Sequence, residues 1–333
     1  MLIVIKKGTT TEDLEKLTHY LNGLKAEYTV WNDPENSYIA LQYSLERSIQ
    51  DQLKQYHFVE RILEEKLLQK QTKPTKEIKI KSHIISRNNF TIIAGPCTID
   101  NREDLRQTAQ KLRSLGVYFL RGGAYKLRSS PYSYQGLGKE ALRYMKEVCD
   151  ELDMVSVSEI TSIDDLKMMS EYIDILIVGT RNMQNYRLLT AIGETDQLVI
   201  LKRGMANTIK EWILAAEYIS KAGNENIILC ERGIRTFENY TRNTLDLSAV
   251  PIIQSMTPYP VIVDPSHSSG IKELVKPLSW ATAAAGADGL LVECHYSPEK
   301  ALCDAQQTIS IENLKEIKDN LSPIINLWNK VIN

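Results

Sequence analysis

The stretch Val155–Gly204, VSVSEITSIDDLKMMSEYIDILIVGTRNMQNYRLLTAIGETDQLVILKRG, decides the fold. It holds three apolar runs, Val155–Val157, Ile175–Val178 and Leu198–Leu201, at intervals that suit an intervening helix. Beyond them stand polar groups: Glu159, then Gly179-Thr180-Arg181, then Lys202-Arg203-Gly204. The alternation continues outward. Thr91–Ala94 and Val117–Leu120 precede it, and Asn226–Leu229, Val261–Val263 and Gly289–Val292 follow. Helical patterns such as Glu103–Leu115, Lys139–Leu152 and Thr208–Ala222 lie between them. Continuous apolar strands alternating with amphipathic helices predict a parallel sheet covered by helices. Eight repeats between residues 90 and 333 favour a closed (β/α)8 TIM barrel over an open α/β sheet. No GxGxxG follows the first strand, which weakens a dinucleotide-binding reading.

The first seventy residues have another rhythm. Leu2–Ile5 reads as a strand, and Thr10 or Thr11 can cap a helix carrying Leu14, Leu17, Leu21 and Leu24. Glu27–Trp31 and Tyr38–Leu41 read as strands joined by a turn at Asn32–Asn36. A second helix over Leu45–Tyr56 and a strand over Phe58–Leu63 complete a βαββαβ, ferredoxin-like order. The expected division is a ferredoxin-like regulatory or assembly domain over 1–70, a linker over 71–89 and a catalytic barrel over 90–333. A short strand at Ile78–Ile80 is expected inside the linker.

Composition narrows the function. The 333 residues carry 40 Lys+Arg against 42 Asp+Glu, a net charge of −2 that argues against nucleic-acid binding by bulk basicity. The N-terminal MLIVIKKG lacks the order of a signal peptide, and the longest weakly polar run, near Ala281–Val292, is too short for a membrane span. Five scattered cysteines without a CxxC fit reduced thiols in a cytoplasmic protein.

In a barrel the active site lies at the C-terminal strand ends. Two chemistries gather there. One is cationic: Arg121, Lys126, Arg128, Arg181, Lys202, Arg203 and Arg232. So many cations at one rim of a near-neutral chain call for an anion, a small substrate bearing phosphate and carboxylate. Ser129 and Ser130 add hydroxyl donors. The other chemistry is metal ligation: Cys97, His267, Glu293 and, as a fourth candidate, Asp304. Thiolate and imidazole suit Zn²⁺, Fe²⁺, Co²⁺ or Cu²⁺, and carboxylates widen the choice to Mn²⁺. His295 is a weaker ligand candidate, and Cys149, Cys230, Cys294 and Cys303 read as packing residues. Lys202 also allows a rival mechanism, a Schiff base with a carbonyl substrate.

The ordered motifs IIAGPCTID, RGGAYKLRSSPYSYQGLG, GTRNMQNYRLL, LKRGMANT, CERGIRTFENYTRNTLDL, DPSHSSG and LLVECHYSPEKALCDAQQ resemble the 3-deoxy-7-phosphoheptulonate synthase family, in the form with an N-terminal ferredoxin-like domain. The resemblance is strong over about residues 88–310 and weak before residue 70. It implies the first step of the shikimate pathway to chorismate and the aromatic amino acids: condensation of phosphoenolpyruvate with erythrose 4-phosphate. It carries metal ligation onto Cys97, His267, Glu293 and Asp304, with one divalent ion and no organic cofactor. It carries phosphoenolpyruvate contacts onto Arg121, Lys126, Arg181, Lys202 and Arg232, and the aldose phosphate contact onto Arg128 and Ser129. Lys126, Glu159 and His267 are the groups expected in catalysis. A homotetramer and an aromatic amino-acid effector are also implied.

The sister 3-deoxy-octulosonate-8-phosphate synthases share the AGPC, ERG and DPSH elements but lack the Lys126–Ser130 segment, so a four-carbon acceptor is favoured over a five-carbon one. A non-catalytic sensor barrel is the remaining alternative. The chain departs from the family at Leu127, where Pro is usual, and at Thr98-Ile99-Asp100, where Ser-Val-Glu is usual. It departs again at YIALQYSLERS, which replaces the glycine-rich signature of the small domain.

Overall fold

The computed structural model describes the chain apart from residues 33–36, 42–44, 64–74, 127–131, 133 and 333. Two compact units emerge, Met1–Lys66 and Leu67–Asn333. In the first, strands β1 (Leu2–Ile5), β2 (Tyr28–Asn32), β3 (Ser37–Leu41) and β4 (Val59–Leu63) form one antiparallel sheet in the order β2-β3-β1-β4. Helices Thr11–Gly23 and Arg47–Leu53 connect them as a split βαββαβ unit. Thr10 is the cap of the first helix, its hydroxyl oxygen accepting from the Asp13 amide. Ile3, Ile5, Leu17, Leu21, Ile39 and Leu53 are fully buried and make the core of this unit. Most of the turn expected at Asn32–Asn36 lies outside the described residues.

The second unit begins with a hairpin, β5 (Ile78–Ile80) against β6 (His83–Ile85), within the stretch expected to be a linker. Eight parallel strands follow: β7 (Asn89–Gly95), β8 (Phe119–Arg121), β9 (Val155–Ile160), β10 (Ile175–Val178), β11 (Leu198–Lys202), β12 (Ile227–Glu231), β13 (Val261–Val263) and β14 (Gly289–His295). The barrel closes where β14 pairs with β7 from Gly289↔Thr91 to Glu293↔Gly95. It is the (β/α)8 TIM barrel that the periodicity predicts.

Strand period two sorts the apolar side chains into layers. Ile93, Phe119, Val155, Val157, Ile175, Ile177, Ile200, Ile228, Cys230, Ile262 and Leu291 fill the lumen. Ile92, Ala94, Leu176, Val178, Leu229, Val292 and Cys294 pack outward under the helices. Ile78 and Ile85 join the lumen cluster, so the hairpin closes the N-terminal end of the barrel. Lys81 at its tip pins it, donating to the Met154 carbonyl at 2.7 Å and pairing with Asp174 at 3.0 Å. The strand expected at Ile78–Ile80 is β5; its partner β6 and the packing of its isoleucines on the lumen were not expected, because alternating Lys and Ile resembles a solvated tether until a lumen accepts the isoleucines.

Several strands also run past their apolar cores. β9 reaches Ile160, β12 reaches Glu231 and β14 reaches His295. Glu159, Glu231 and Glu293 therefore belong to the strands themselves and gain the strands' rigidity. Among the described residues no helix is long and apolar enough to cross a membrane.

Candidate active site

The loop after β7 is held by the loop after β8. The Gly123 amide donates to the Cys97 carbonyl and the Ile99 amide to the Gly123 carbonyl, each at 3.1 Å. This brings the two chains so close that a Cβ on Gly123 would lie 2.6 Å from Lys126 Cε and 2.9 Å from the Cys97 oxygen. Glycine at 123 is a steric requirement, and it fixes Cys97 over the lumen with 1% exposure. A Cβ on Gly179 would likewise fall 2.0 Å from Glu159 Oε1.

Around Cys97 the strand ends deliver charge. Arg121 Nη1 donates to Glu293 Oε1 at 2.7 Å, and both side chains are buried. His267 stands on the short helix Pro265–Ser269, which Asp264 caps through the His267 amide. The same carboxylate meets His267 Nδ1 at 2.7 Å and accepts from Lys202 Nζ at 2.7 Å. His267 Nε2 is left facing Glu293 Oε1 at 3.3 Å. Gln307 donates to the other Glu293 oxygen.

Burial shapes the charge states. It drives the His267 imidazole below its ordinary value of 6.5, against the raising influence of Asp264 and Glu293. The ring is therefore neutral at pH 7, with Asp264 as the acceptor for Nδ1–H. Burial would raise the Asp264 and Glu293 carboxyls, but the basic groups at 267, 202, 121 and 126 hold both below their usual range. Burial would lower Lys126, but the anionic surroundings of Cys97, Glu293 and Glu159 keep its ammonium raised. The Cys97 thiol is pushed up by its contact with Cys303 and by burial.

Two donor groups share Asp304. Cys97, Cys303 and Asp304 offer atoms within 4.8 Å of one another, and so do His267, Glu293 and Asp304. Soft sulfur, imidazole and carboxylates in one pocket suit a divalent transition ion. The histidine presents Nε2 toward the centre while a carboxylate orients its other nitrogen, as metal-bound histidines require. The residues present therefore fit a resident ion. Asp304 reaches the centre from a left-handed backbone, φ 52°, stabilised where the Gln307 amide and the Thr308 hydroxyl donate to its carbonyl.

The structure gathers Arg121, Lys126, Glu159, Lys202, Arg232 and His267 at this mouth, with Arg181 exposed on the turn after β10. Arg232 is buried and donates to the His267 carbonyl at 3.2 Å. Arg128 and Ser129 lie outside the described residues. Three expectations change. Arg203 is not an anion-binding cation, because Glu231 and Asp246 hold its Nη1 at 2.9 and 2.8 Å. Lys202 is the donor in a buried ion pair with Asp264, which opposes its use as a Schiff-base nucleophile. Cys303, expected to pack, is buried but packs against a candidate ligand, its sulfur 3.0 Å from that of Cys97. His295 is absent from both donor groups and contacts Ser297 instead. Asp264 and Gln307 were not expected to serve the site. The Asp-Pro pair after a strand, a cap with Pro at the first helical position, signals Asp264, whereas nothing in the sequence signals Gln307.

The DAHP synthetase I family matches residues 72–326. The chain belongs to that family. A relative from Thermotoga maritima, named phospho-2-dehydro-3-deoxyheptonate aldolase, is 44% identical over 329 residues, 97% of each chain. The crystal structure of phospho-2-dehydro-3-deoxyheptonate aldolase (DAHP synthase) from that organism superposes with a TM-score of 0.81 at 43% identity, covering 100% of this chain and 99% of that one. A 2-dehydro-3-deoxyphosphooctonate aldolase from Geobacter sulfurreducens is 32% identical over 269 residues, 75% of this chain and 98% of its own length.

Proposed function

We propose that this chain is a 3-deoxy-7-phosphoheptulonate synthase, an enzyme that joins phosphoenolpyruvate, erythrose 4-phosphate and water into 3-deoxy-D-arabino-heptulosonate 7-phosphate and inorganic phosphate. The observation that carries the reading is the placement of Arg121 and Lys126 beside Glu293 and Cys97, and of Lys202 and Arg232 beside Asp264 and His267, in a chain of this family. The full-length match to the heptonate enzyme supports the four-carbon acceptor, since the octonate relative leaves a quarter of this chain uncovered.

In this reading Arg121, Lys126, Arg181, Lys202 and Arg232 bind the carboxylate and phosphate of phosphoenolpyruvate, and Arg128 and Ser129 bind the aldose phosphate. Holding two anions in register turns a bimolecular encounter into a positioned one, which supplies much of the rate. The C3 carbon of phosphoenolpyruvate forms the new bond to the aldehyde carbon. Water adds at C2, and the C2–O bond to phosphate breaks as phosphate leaves. Lys126 and Glu159 are the proton-moving groups at the aldehyde oxygen and the attacking water. Cys97, His267, Glu293 and Asp304 would hold the divalent ion. When bound, the ion supplies Lewis acidity toward the aldehyde oxygen. Zn²⁺, Fe²⁺, Co²⁺, Cu²⁺ and Mn²⁺ all suit this donor set.

The same reading makes the chain a cytoplasmic homotetramer and an enzyme of the shikimate pathway. The Met1–Lys66 unit serves regulation by an aromatic amino acid or serves assembly. A coupled phosphate-release assay tests the function, with four- and five-carbon aldose phosphates as acceptors and Tyr, Phe and prephenate as added effectors. Release that depends on erythrose 4-phosphate, disappears on chelation and returns with a divalent ion supports it. Faster release with a five-carbon acceptor transfers the chain to the octulosonate reaction, and no release with either acceptor overturns the enzyme reading.

A further inference from the structure

The metal donors expected from the sequence include one sulfur, and the structure places two together. Cys303 is 3% exposed and Cys97 1%, and their sulfurs are 3.0 Å apart beneath the cationic rim. Asp304, the next residue in the chain, sets its carboxylate 3.3 Å from Cys97 Sγ. Asp304 also belongs to the group with His267 and Glu293, so its carboxylate links the two sulfurs to the other expected donors. The loop that delivers Cys303 is fixed at both ends. The Leu302 amide donates to Asp100 Oδ2, and the Asp304 carbonyl accepts from the Gln307 amide. A thiol with only a packing role is surrounded by hydrocarbon. This one faces a sulfur and a carboxylate across a pocket of charged groups.

We propose that Cys303 is a second sulfur donor to the ion that Cys97 holds, so that the site is a two-thiolate one. The proposal rests on the metal reading above. The geometry is compatible with it. Two sulfurs at about 2.3 Å from one tetrahedral ion stand about 3.8 Å apart, so an ion enters by separating the pair by less than about 1 Å. Each thiol gives its proton to solvent as its sulfur takes up the ion. A second soft donor shifts preference toward thiophilic ions such as Zn²⁺ and Cd²⁺ and away from Mg²⁺ and Mn²⁺. Cys303 is thus a residue that selects the metal.

The test titrates metal-free full-length chain, kept reduced, with Co²⁺, Cd²⁺ and Mn²⁺ for wild type, C303S, C303A and C97S. Wild type binds one ion per chain. Its near-ultraviolet thiolate-to-cobalt absorption falls by roughly half in C303S, C303A and C97S alike, since each removes one of two sulfurs. Cd²⁺ affinity falls roughly 10-fold or more in C303S, while Mn²⁺ affinity stays within roughly 3-fold. Undiminished absorption and Cd²⁺ affinity in both Cys303 variants, with loss in C97S, overturns the second donor and leaves the metal site standing. Absence of stoichiometric binding in wild type, or binding indifferent to Cys97, overturns the metal reading itself.

Discussion

The two ends of the barrel both bury ion pairs, and they treat them differently. At the N-terminal end Lys330 donates to the Gly286 and Ala287 carbonyls and to Asp288. Asp288 in turn accepts from the Val261 amide at 2.7 Å and from Gln254. Arg87 nearby donates to the Gln254, Thr257 and Tyr259 carbonyls. Those cations are directed at backbone and at one carboxylate, with Arg87 Nε left without a partner among the described residues. At the C-terminal end Arg121 keeps a buried Nε without a partner among the described residues. Gln307 Oε1 is likewise unsatisfied among the described residues, and the Lys126 ammonium stands near Cys97, Glu293 and Glu159. Buried polar groups without partners are costly, so they persist where a ligand completes them. The same residue types therefore mean structure at one end and binding at the other. Arg87 Nε is without a partner too, so what distinguishes the ends is the surroundings: Arg87 faces backbone carbonyls, whereas Arg121 and Lys126 border the candidate metal donors.

The largest expected effect separates the two ends directly. K126M removes a cation that makes no buried ion pair of the Lys330–Asp288 kind among the described residues. Its kcat/KM falls roughly 10³-fold, about 4 kcal/mol, with a melting temperature within about 2 °C of wild type. A large loss of thermal stability would place Lys126 with the structural ions. K330M inverts the pattern. Leaving Asp288 buried and uncompensated costs about 3–5 kcal/mol in denaturant unfolding, while kcat/KM of the folded protein stays within about 2-fold. If activity fell with it as for K126M, the contrast between the ends would be lost.

D264N sharpens the account within the mouth. It keeps the shape but favours the wrong tautomer of His267 and weakens the hold on Lys202. Metal affinity falls about 10–100-fold in equilibrium dialysis, whereas an unchanged affinity would detach Asp264 from the metal site. The smallest effect is on pH dependence. His267, Asp264 and Glu293 all sit below their ordinary values of 6.5, 3.8 and 4.5. Below those values the unfolded chain binds more protons than the folded one. The contribution of these three groups to the stability of the metal-free protein is therefore full above about pH 6.5 and declines on acidification, first through the histidine and then through the carboxylates, against the opposite contribution of the raised Glu231 and Asp288 carboxyls. Each group adds at most about 1.4 kcal/mol per pH unit to the slope. Urea unfolding of wild type and H267N between pH 7 and 4 measures the histidine's share, and an identical slope in both contradicts its assigned charge state.

The barrel was legible because its strands are buried on both faces and so read as unbroken apolar runs such as ILIV and LVIL. The candidate ligands and most cations were legible because a strand end converts sequence position into spatial position. What the sequence did not reveal depends on which side chains meet across the mouth. Arg203 looked like its neighbour Lys202, and only the approach of Glu231 and Asp246 separates their roles. Cys303 looked like the packing cysteines Cys230 and Cys294, and only the fold of the last loop brings it to Cys97. The strand Ile78–Ile80 was legible, but its pairing with His83–Ile85 was not, because its isoleucines pack against a lumen built from distant strands.

The most direct test of the account is anomalous diffraction from crystals of the full-length protein grown with Mn²⁺ or Zn²⁺ and phosphoenolpyruvate. The account predicts one strong peak among Cys97 Sγ, His267 Nε2, Glu293 and Asp304, with the bound anion reaching Lys126 and the free edge of Arg121. A peak elsewhere on the chain, or phosphoenolpyruvate bound away from those cations, contradicts it.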